Sequence, residues 1–500
     1  MMKKRQTASV LALLLLASAI SACGEAAETP VSADTAALPD TAAVTEQVTE
    51  PELKADIPAD TDYNGYTFRV LARAATDQWE NFDLVADATN GDVINDAVYS
   101  RNQTVEELLN VKLTQVPVNG YDVLGPANRS ITAGSDDYDI IMPSITDCAN
   151  IAQKGYLLPL QELPYMDLSK PWYDQRCINE LAINEQNYLF FSDITVRNLD
   201  AIWIYVFNKS MLETFDLEDP YELIAADKWT WDKMTEMCKQ VTGDIDGNGT
   251  MDKADRWGLV AHDYVITAGY VGSGERIATA QQDGSITLTM NNERVYDVID
   301  KIIAVQPYWI RYALTANKYS KAQPVGFEPK DNYAELVSVF TSGNALFMGE
   351  CMAVIEDMRS STVDFGVVPT PKLAEEQKGY YSAVNYIAAC MAAPVTTVDP
   401  ERTSVIIEAW AAESHKTLLP AYYDIAMKGK YTRDVMSSDM LDVILGSRSY
   451  DLGIYYGWGQ LSDRFCSLVY EGSTDFASMY QANEGKAQEA LDKFLGEFGK

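Results

Sequence analysis

The chain has 500 residues, of which 47% are hydrophobic, an ordinary proportion for a globular protein. This length exceeds what a single hydrophobic core accommodates, so we expect two lobes or domains. The 39 basic and 73 acidic residues give a formal net charge of −34, which argues against nucleic acid and anionic lipid as partners and favours a neutral or cationic ligand. Solubility of a secreted protein is the simpler explanation of the same acidity.

Residues 1–23 have the pattern of a secretory signal peptide: a basic start, an apolar block over 8–20 and small residues behind it. The apolar block is shorter than the ~20 residues that span a bilayer as a helix. The junction Ile20-Ser21-Ala22-Cys23 resembles the bacterial lipoprotein box, whose cysteine receives a lipid. We predict a protein that is lipid-anchored through Cys23 on the extracellular face of the cell membrane. The alternative is an ordinary signal peptide whose cysteine is incidental.

Residues 24–61 are rich in Ala, Thr, Pro, Glu and Asp and contain no aromatic residue. Such a composition cannot bury a core, so we predict a disordered acidic linker between the anchor and the folded part.

The folded part begins with alternating strand and helix patterns. We predict strands over 66–72, 111–116 and 138–142, and a helix over 94–109, where apolar residues recur at helical spacing. Strand and helix in alternation indicate an α/β lobe.

Three more helices have clear signals at their ends. Thr230 is a suitable N-cap for a helix that Gly243 ends, and Asp399-Pro400 opens another. The last helix has an apolar stripe that runs from Ala487 to Phe498.

The remaining cysteines are widely scattered and form no CxxC motif or Cys/His cluster that would suggest zinc or redox chemistry. They are Cys148, Cys177, Cys238, Cys351, Cys390 and Cys466. Three of them (Cys238, Cys351 and Cys390) lie among apolar residues and are expected in the core. Their pairing is left open by the sequence.

Residues 244–255 (DIDGNGTMDKAD) follow the spacing of an EF-hand-type calcium loop. Oxygen ligands fall at positions 1, 3, 5, 7, 9 and 12 of that loop, with Gly249 at the sharp turn; they are Asp244, Asp246, Asn248, Thr250 (through its carbonyl), Asp252 and Asp255. Position 12 is usually glutamate, and aspartate is shorter. We predict bound calcium in a structural role; the alternative is an acidic surface turn without metal.

Several short motifs occur in the order typical of one protein family. They are Tyr138-Asp139-Ile140-Ile141 with Gly155-Tyr156-Leu157-Leu158-Pro159-Leu160, Tyr205-Val206-Phe207-Asn208-Lys209, Trp229-Thr230-Trp231 followed by the calcium-type loop and Trp257-Gly258-Leu259, Phe340 to Met348, and Phe365 to Pro371. Together they resemble family 1 of the extracellular solute-binding proteins of ABC transporters. The resemblance covers nearly everything from about residue 62 to residue 500.

The resemblance implies an α/β, two-lobed, periplasmic-binding-protein-like fold with a hinge between the lobes. It places 62–196 plus 381–417 in an N-terminal lobe and 197–380 plus 418–500 in a C-terminal lobe, with crossings near 193–200, 380–385 and 415–420. It implies a monomeric receptor that captures a carbohydrate, with oligosaccharide as the favoured class, by hinge closure and delivers it to ABC permease subunits in the membrane.

A sugar site needs flat aromatic rings and hydrogen-bonding side chains in one cleft, and loops at the carboxyl ends of strands face that cleft. We predict ligand contacts from Trp79, Asn81, Asp147, Asp193, His262, Tyr264, Glu350, Tyr455 and Trp458. Arg197 is near the hinge residue Asp193, and Glu350 stands where many relatives have an aromatic residue. The glycines around Tyr455 and Trp458 favour a loop there over a helix.

The sequence contains no G-x-S-x-G elbow, P-loop or HExxH motif, so we expect no enzyme activity. Two alternatives stay open: an extracellular polysaccharide-active enzyme with an unmarked carboxylate pair, and a receptor that feeds a membrane sensor kinase.

Overall fold

The computed structural model describes residues 53–74, 83–118, 122–281, 283–312, 332–431 and 434–498. Leu53–Lys500 form one compact unit. The predicted signal peptide, Cys23 and most of the linker lie outside the described residues. Within the described part, the helices include none with the length and apolar character that a membrane crossing needs.

The first half of the chain builds a parallel sheet with strand order β2-β1-β3. Its elements are β1 (Tyr66–Arg73), α1 (Val93–Leu109), β2 (Val111–Val118), α2 (Leu124–Thr132), β3 (Ile140–Ile141), α3 (Ile145–Ala152) and α4 (Gln175–Glu180). Asp92 accepts hydrogen bonds from the backbone N–H groups of Ile94 and Asn95 and so begins α1 where the apolar periodicity predicted it.

A later part of the chain returns to this first sheet. Ile141 and Ala392 exchange backbone hydrogen bonds of 2.9 and 3.0 Å, and Met391 does the same with Phe190. These antiparallel contacts extend the sheet beyond β3. The first sheet is therefore assembled from separate segments of the chain.

The second sheet has five strands in the order β10-β4-β9-β5-β8. Its elements are β4 (Trp203–Asn208), α5 (Lys209–Phe215), α6 (Pro220–Ala225), α7 (Trp231–Val241), β5 (Trp257–His262), α8 (Val265–Gly272), β6 (Ala278–Ala280), β7 (Ile286–Leu288), α9 (Arg294–Val305), β8 (Trp309–Tyr312), α10 (Asn332–Thr341), β9 (Ala345–Cys351), α11 (Val354–Asp357) and β10 (Phe365–Val368). Strand β5 is parallel to β9 and β8, whereas β4 is antiparallel to β9 and β10.

Helix α7 begins as predicted, because the Thr230 side chain accepts a hydrogen bond from the N–H of Lys233. It ends at Val241 with Thr242 as C-cap, so Gly243 is the first residue beyond the cap, next to the predicted end of the helix. Gly243 instead exchanges backbone hydrogen bonds with Arg256, which closes the base of the predicted calcium loop.

The C-terminal part crosses back over both sheets. Its elements are β11 (Ser382–Ala383), α12 (Pro400–Lys416), α13 (Leu418–Pro420), a π-helix (Ala421–Tyr431), α14 (Val435–Gly446), β12 (Arg448–Ser449), α15 (Leu452–Tyr456), α16 (Leu461–Tyr470) and α17 (Phe476–Phe498). Helix α12 packs against α1, and α16 packs against α8. The parallel pair β11–β12 adds a connection near the hinge that the sequence did not predict.

The prediction of a loop over Tyr455–Gly459 is wrong. Tyr455 and Tyr456 end the short helix α15, which Gly457 terminates with a φ of 65°. A 3-10 turn at Trp458–Gln460 follows. A Cβ on Gly459 would lie 2.6 Å from the Cβ of Ala487, so that glycine lets α17 approach. The glycines thus end a helix and admit close packing.

Each lobe has a dense aromatic core. Trp410 of α12 packs edge-on against Phe68 of β1, with 6.4 Å between ring centroids. In the second lobe Trp229 and Trp231 are fully buried. The six cysteines from Cys148 to Cys466 are all buried and unpaired with one another as disulfides, which agrees with core roles for Cys238, Cys351 and Cys390.

Candidate functional site: a cleft between the two sheets

A cavity of about 360 Å³ lies where loops of both sheets meet. Helix α3 contributes to one side, α8 to another, and the segments after β11 and around α15 complete it. The lining residues include Thr146, Asn150, Trp203, Tyr264, Thr267, Asn385, Tyr386, Tyr455, Tyr456, Gln460, Ser462 and Asp463. This volume is near the low end of the range for ligand pockets, about 300–1,000 Å³.

The topology explains why these side chains converge. Strand β3 leads directly into α3, and β5 leads into Tyr264 and α8, so both carboxyl ends open onto the cavity. Trp203 begins β4, which runs antiparallel to β9 and β5 and therefore brings its first residue to the same edge. Strand ends thus bring Trp203, Tyr264 and the start of α3 to the cavity.

Aromatic rings form one wall of the cavity. The imidazole of His262 contacts Trp203 at 5.0 Å and Tyr264 at 5.5 Å between centroids, both edge-on. Tyr264 in turn lies 4.9 Å from Tyr386, which comes from the segment after β11. Apolar ring faces beside hydrogen-bonding groups are what a sugar ring requires. The wall joins the second lobe to the hinge segment.

His262 and Glu350 were predicted as ligand contacts, but both are only 5% exposed and neither lines the cavity. They lie behind Trp203 as a buried ion pair, with 3.3 Å between Nε2 of His262 and Oε2 of Glu350. Asp263 approaches Nδ1 of the same ring at 3.8 Å. Because they lie behind the wall, His262 and its carboxylate partners hold the aromatic rings in position.

Burial alone would lower the pKa of His262, but the adjacent carboxylates of Glu350 and Asp263 outweigh it and raise the pKa to about 9. The imidazole is therefore protonated at neutral pH. The N–H of Cys351 also donates to Oε1 of Glu350 at 2.8 Å, which fixes the carboxylate that holds the ring.

Tyr455 lies on the cavity surface, as its predicted contact role requires, and its hydroxyl donates to the carbonyl of Val384 at 2.8 Å. Trp458 does not line the cavity. It is 2% exposed, stacks on Tyr456 at 5.2 Å and packs against Phe494 at 5.2 Å. Trp458 therefore serves the core beneath α17.

Asp193 lies outside the cavity lining, and its place at the hinge stays a prediction. Its carboxylate is 2.6 Å from Nδ1 of His415. Arg197 lies on the same crossing and pairs with Asp200 at 3.0 Å and with Glu356 at 3.1 Å. These residues hold the crossing segments in place.

The remaining predicted contacts have different outcomes. Asp147 is in the first turn of α3, beside the lining residue Thr146, but is not itself a lining residue. Its N–H donates to the Ser144 side chain at 3.1 Å, which caps the helix. Trp79 and Asn81 lie outside the described residues, so their predicted roles stay predictions.

Several lining residues were missed by the sequence analysis. Trp203 lies two positions before Tyr205, the first residue of the Tyr205–Lys209 motif, and Tyr386 directly follows a predicted crossing, so position could have indicated both. Asn150, Gln460 and Asp463 carry no local signal, since each becomes a lining residue only through packing of its helix.

The predicted calcium loop is built around converging carboxylates. Asp244, Asp246 and Asp255 each contribute one carboxylate oxygen, and these three oxygens lie within 4.8 Å of one another. Asp255 is 2% exposed and accepts hydrogen bonds of 2.8 Å from the N–H groups of Ile245 and Asp252. Backbone N–H groups of Gly249 and Gly247 lower the pKa of Asp244, so this carboxylate stays ionised. Three close carboxylates suit a hard cation.

Comparisons of the whole chain with known proteins identify its fold. No protein-family model matches the sequence, and no curated protein does. Among solved structures, a cyclo/maltodextrin-binding protein complexed with maltotetraose is similar, with a TM-score of 0.54, 13% identity, and coverage of 85% of this chain and 96% of that one.

Two more solved structures agree. A Rhizobium etli sugar transporter protein in an open conformation has a TM-score of 0.53 at 12% identity and covers 87% of this chain and 99% of its own. The maltose-binding periplasmic protein of Listeria monocytogenes, in complex with maltose, has a TM-score of 0.51 at 12% identity, over 86% and 97% of the chains. The predicted two-lobed α/β periplasmic-binding-protein-like fold is confirmed.

Proposed function

We propose that this protein captures a carbohydrate in the cleft between its two lobes and is the substrate-binding component of an ABC importer. The observation that carries the proposal is that aromatic rings and polar side chains line one cavity. The rings are those of Trp203, Tyr264 and Tyr386, and the polar groups include the amides of Asn150, Asn385 and Gln460. Proteins of the same fold are described as bound to maltotetraose and maltose. Ligand would stabilise the closed arrangement of the lobes by its differential affinity.

The cleft chemistry favours binding over catalysis. Glycoside hydrolysis ordinarily needs two carboxyl groups on opposite sides of the scissile bond, about 5–10 Å apart. Of the described residues that line the cavity, Asp463 is the single carboxylate. The proposal therefore assigns no enzyme activity, and the oligosaccharide predicted from the sequence stays the favoured ligand.

Titration calorimetry against a panel of neutral saccharides, with chromatography of the same mixtures, tests the proposal. We expect saturable one-site binding and unchanged sugars after prolonged incubation. Absence of binding to every saccharide, or release of products at catalytic rates, would contradict it. A loss of labelled-sugar uptake in cells without the protein would support delivery to permease subunits, whereas unchanged uptake would favour the sensor alternative.

We also propose the lipid anchor at Cys23, on the lipoprotein-box sequence alone. The wild-type protein should fractionate with membranes of a bacterial host, whereas Cys23→Ser should be released or retain its signal peptide. Mass spectrometry of the N-terminal peptide checks for the lipid. An unmodified cysteine in membrane-associated wild type would contradict the anchor.

Calcium is a further proposal, for which Asp244, Asp246, Asn248, Thr250, Asp252 and Asp255 would supply the ligands. The convergence of three carboxylates and the buried position of Asp255 support it. The ion would neutralise these charges and hold the connection between α7 and β5, far along the chain from the cleft residues of α15 and α16.

A further inference from the structure

We propose that the cleft prefers 6-deoxy sugars, which carry a methyl group, to the parent sugars that carry a hydroxymethyl group at the same place. An aliphatic cluster in the cavity lining sets this preference. The cluster consists of Ala268, Val271, Ala383, Val384 and Ile454. The preference rests on the proposed capture of a carbohydrate and adds the chemical class of the sugar to it.

The aliphatic cluster is assembled from elements that pack on one another. Ala268 and Val271 lie three positions apart on α8, and therefore on one face of that helix. Helix α8 packs against β11, and Ile454 of α15 packs against the same hydrophobic core as α8. The hydroxyl of Tyr455 donates to the carbonyl of Val384 at 2.8 Å, which joins α15 to the end of β11. The five side chains therefore lie together in the lining.

The backbone polar groups of the cluster already have partners within the protein. The carbonyl of Val271 accepts from the N–H of Gly274 at 2.9 Å and from the guanidinium of Arg276 at 3.2 Å. The N–H of Val384 donates to the carbonyl of Ser449 at 3.1 Å, and its own carbonyl holds the tyrosine hydroxyl of α15. These groups are engaged before a ligand arrives.

The hydroxyl nearest to the cluster along α8 is engaged as well. Oγ1 of Thr267 lies 2.7 Å from Sγ of Cys466. A ligand hydroxyl that enters the cluster would exchange its hydrogen bonds with water for groups that already have partners, which costs affinity. A methyl group at the same place loses no hydrogen bond and gains from apolar burial.

Other polar side chains reach the cavity from different elements. Asn150 lies on α3 and Ser462 lies at the start of α16. These side chains can hold ring hydroxyls, while the rings of Trp203 and Tyr264 offer stacking surfaces. One part of the lining therefore suits an apolar group and another part suits hydroxyls. A 6-deoxyhexose presents both, because its methyl group stands beside a ring that carries hydroxyls.

The test uses pairs of sugars that differ in this group alone. The pairs are L-fucose and L-galactose, L-rhamnose and L-mannose, D-quinovose and D-glucose, and the 6′-deoxy derivative of maltose with maltose itself. Titration calorimetry of the wild type should show at least one 6-deoxy sugar that binds about tenfold more tightly than its parent.

Two variants test whether the cluster sets the preference. Val271→Thr keeps the shape of the side chain and introduces a hydroxyl, so the tenfold preference should fall to about threefold or less. Ile454→Asn makes a larger polar change at a partly exposed position and should have the same effect. Val298→Thr is the matched control, since Val298 is a fully buried valine of α9 outside the lining. It should keep the preference, and circular dichroism verifies that each variant is folded.

The outcomes separate the two proposals. Parent sugars that bind at least as tightly as their 6-deoxy forms in every pair would overturn this preference and leave carbohydrate capture standing. A preference that survives in a folded cluster variant, or binding of other saccharides but of none of these probes, would do the same. Absence of binding to these probes and to the wider panel of neutral saccharides would overturn both.

Discussion

Nδ1 of His415 lies 2.6 Å from a carboxylate oxygen of Asp193. Asp193 stands at the start of the first crossing that the family resemblance predicts, and His415 is near the end of α12, where the third predicted crossing begins. The contact therefore ties two segments that are separated by more than two hundred residues of chain. The ring of Trp172 packs edge-on against the same imidazole, with 6.3 Å between ring centroids, and so restricts its orientation.

This hinge pair should make stability depend on pH. The Asp193 carboxylate raises the pKa of His415 above its usual value. Burial raises the pKa of Asp193, and the hydrogen bond from His415 offsets that only in part. Both shifts mean that the folded state holds protons more tightly. The contribution of Asp193 is lost as the pH rises from about 4 through its folded pKa, whereas that of His415 is fully present below about pH 6.5 and is lost as the pH rises through its own folded pKa.

His415→Gln should therefore cost about 1 kcal/mol of unfolding free energy at about pH 5.5 and less at about pH 8. Denaturant unfolding of both proteins at the two pH values measures this difference. A cost for the variant that is equal at both pH values would show that the pair contributes no proton linkage. Lys416→Gln, at the next position of α12, is the matched control and should show no such pH dependence.

The buried ion pair of His262 and Glu350 behind the aromatic wall should contribute more to stability than the pair of Asp193 and His415. Glu350→Gln leaves an imidazole in an apolar site with one partner fewer, and breaking a buried pair costs about 3–5 kcal/mol. Because the pKa of His262 is raised to about 9, the stabilisation is fully present below about pH 6.5 and is lost as the pH rises through about 9. The cost of Glu350→Gln should shrink over that window.

A double-mutant cycle with His262→Gln completes this test. We expect the double variant to be less destabilised than the sum of the single variants, because it leaves no charge without its partner. Additive losses would mean that the two side chains do not act together. Ligand affinity should fall in His262→Gln, since Trp203 loses the ring against which it packs.

The calcium proposal predicts a metal-dependent melting temperature. An ion that binds the folded loop and not the unfolded chain stabilises the folded state, so under this proposal a chelator should lower the melting temperature by about 5 °C, and added calcium should restore it. Asp246→Asn should abolish the response. Asp283→Asn is the matched control, because Asp283 is an exposed aspartate that accepts from the N–H of Ser285 in a similar turn. An identical response in the Asp246 variant and the wild type would exclude this loop as the site.

The sequence predicted the elements well where local signals are strong. Thr230 and Asp399 cap helices where the capping rules placed them, and β1 follows its apolar pattern closely. The prediction of a loop at Tyr455 and Tyr456 is wrong, because a glycine such as Gly457 can mark either a loop or the end of a helix. In the folded chain that glycine ends a helix that is held by packing against α3 and β6.

The site was harder to predict, because a cleft residue and a residue behind the cleft can share one motif. His262 and Tyr264 are separated by one residue, but the first is buried with Glu350 and the second lines the cavity. Strand ends indicate which edge of a sheet is functional, and the direction of each side chain depends on pleat and packing. Asp463 shows the same limit, since only the packing of α16 brings it to the cleft.

Tyr264 offers the most direct test of the aromatic wall. Its ring is partly exposed to the cavity and contacts both His262 and Tyr386. Tyr264→Ala should weaken saccharide binding about tenfold or more, since a stacked ring contributes about 0.5–1.5 kcal/mol beyond the apolar area that it buries. Tyr264→Phe keeps the ring and should retain most of the affinity. Tyr296→Ala removes an exposed tyrosine of α9 and should leave affinity unchanged. Calorimetry with a saccharide that the wild type binds measures all three. Equal affinities for the alanine and phenylalanine variants would show that the ring is not a stacking surface, and the ligand would then have to be held by the polar side of the cleft.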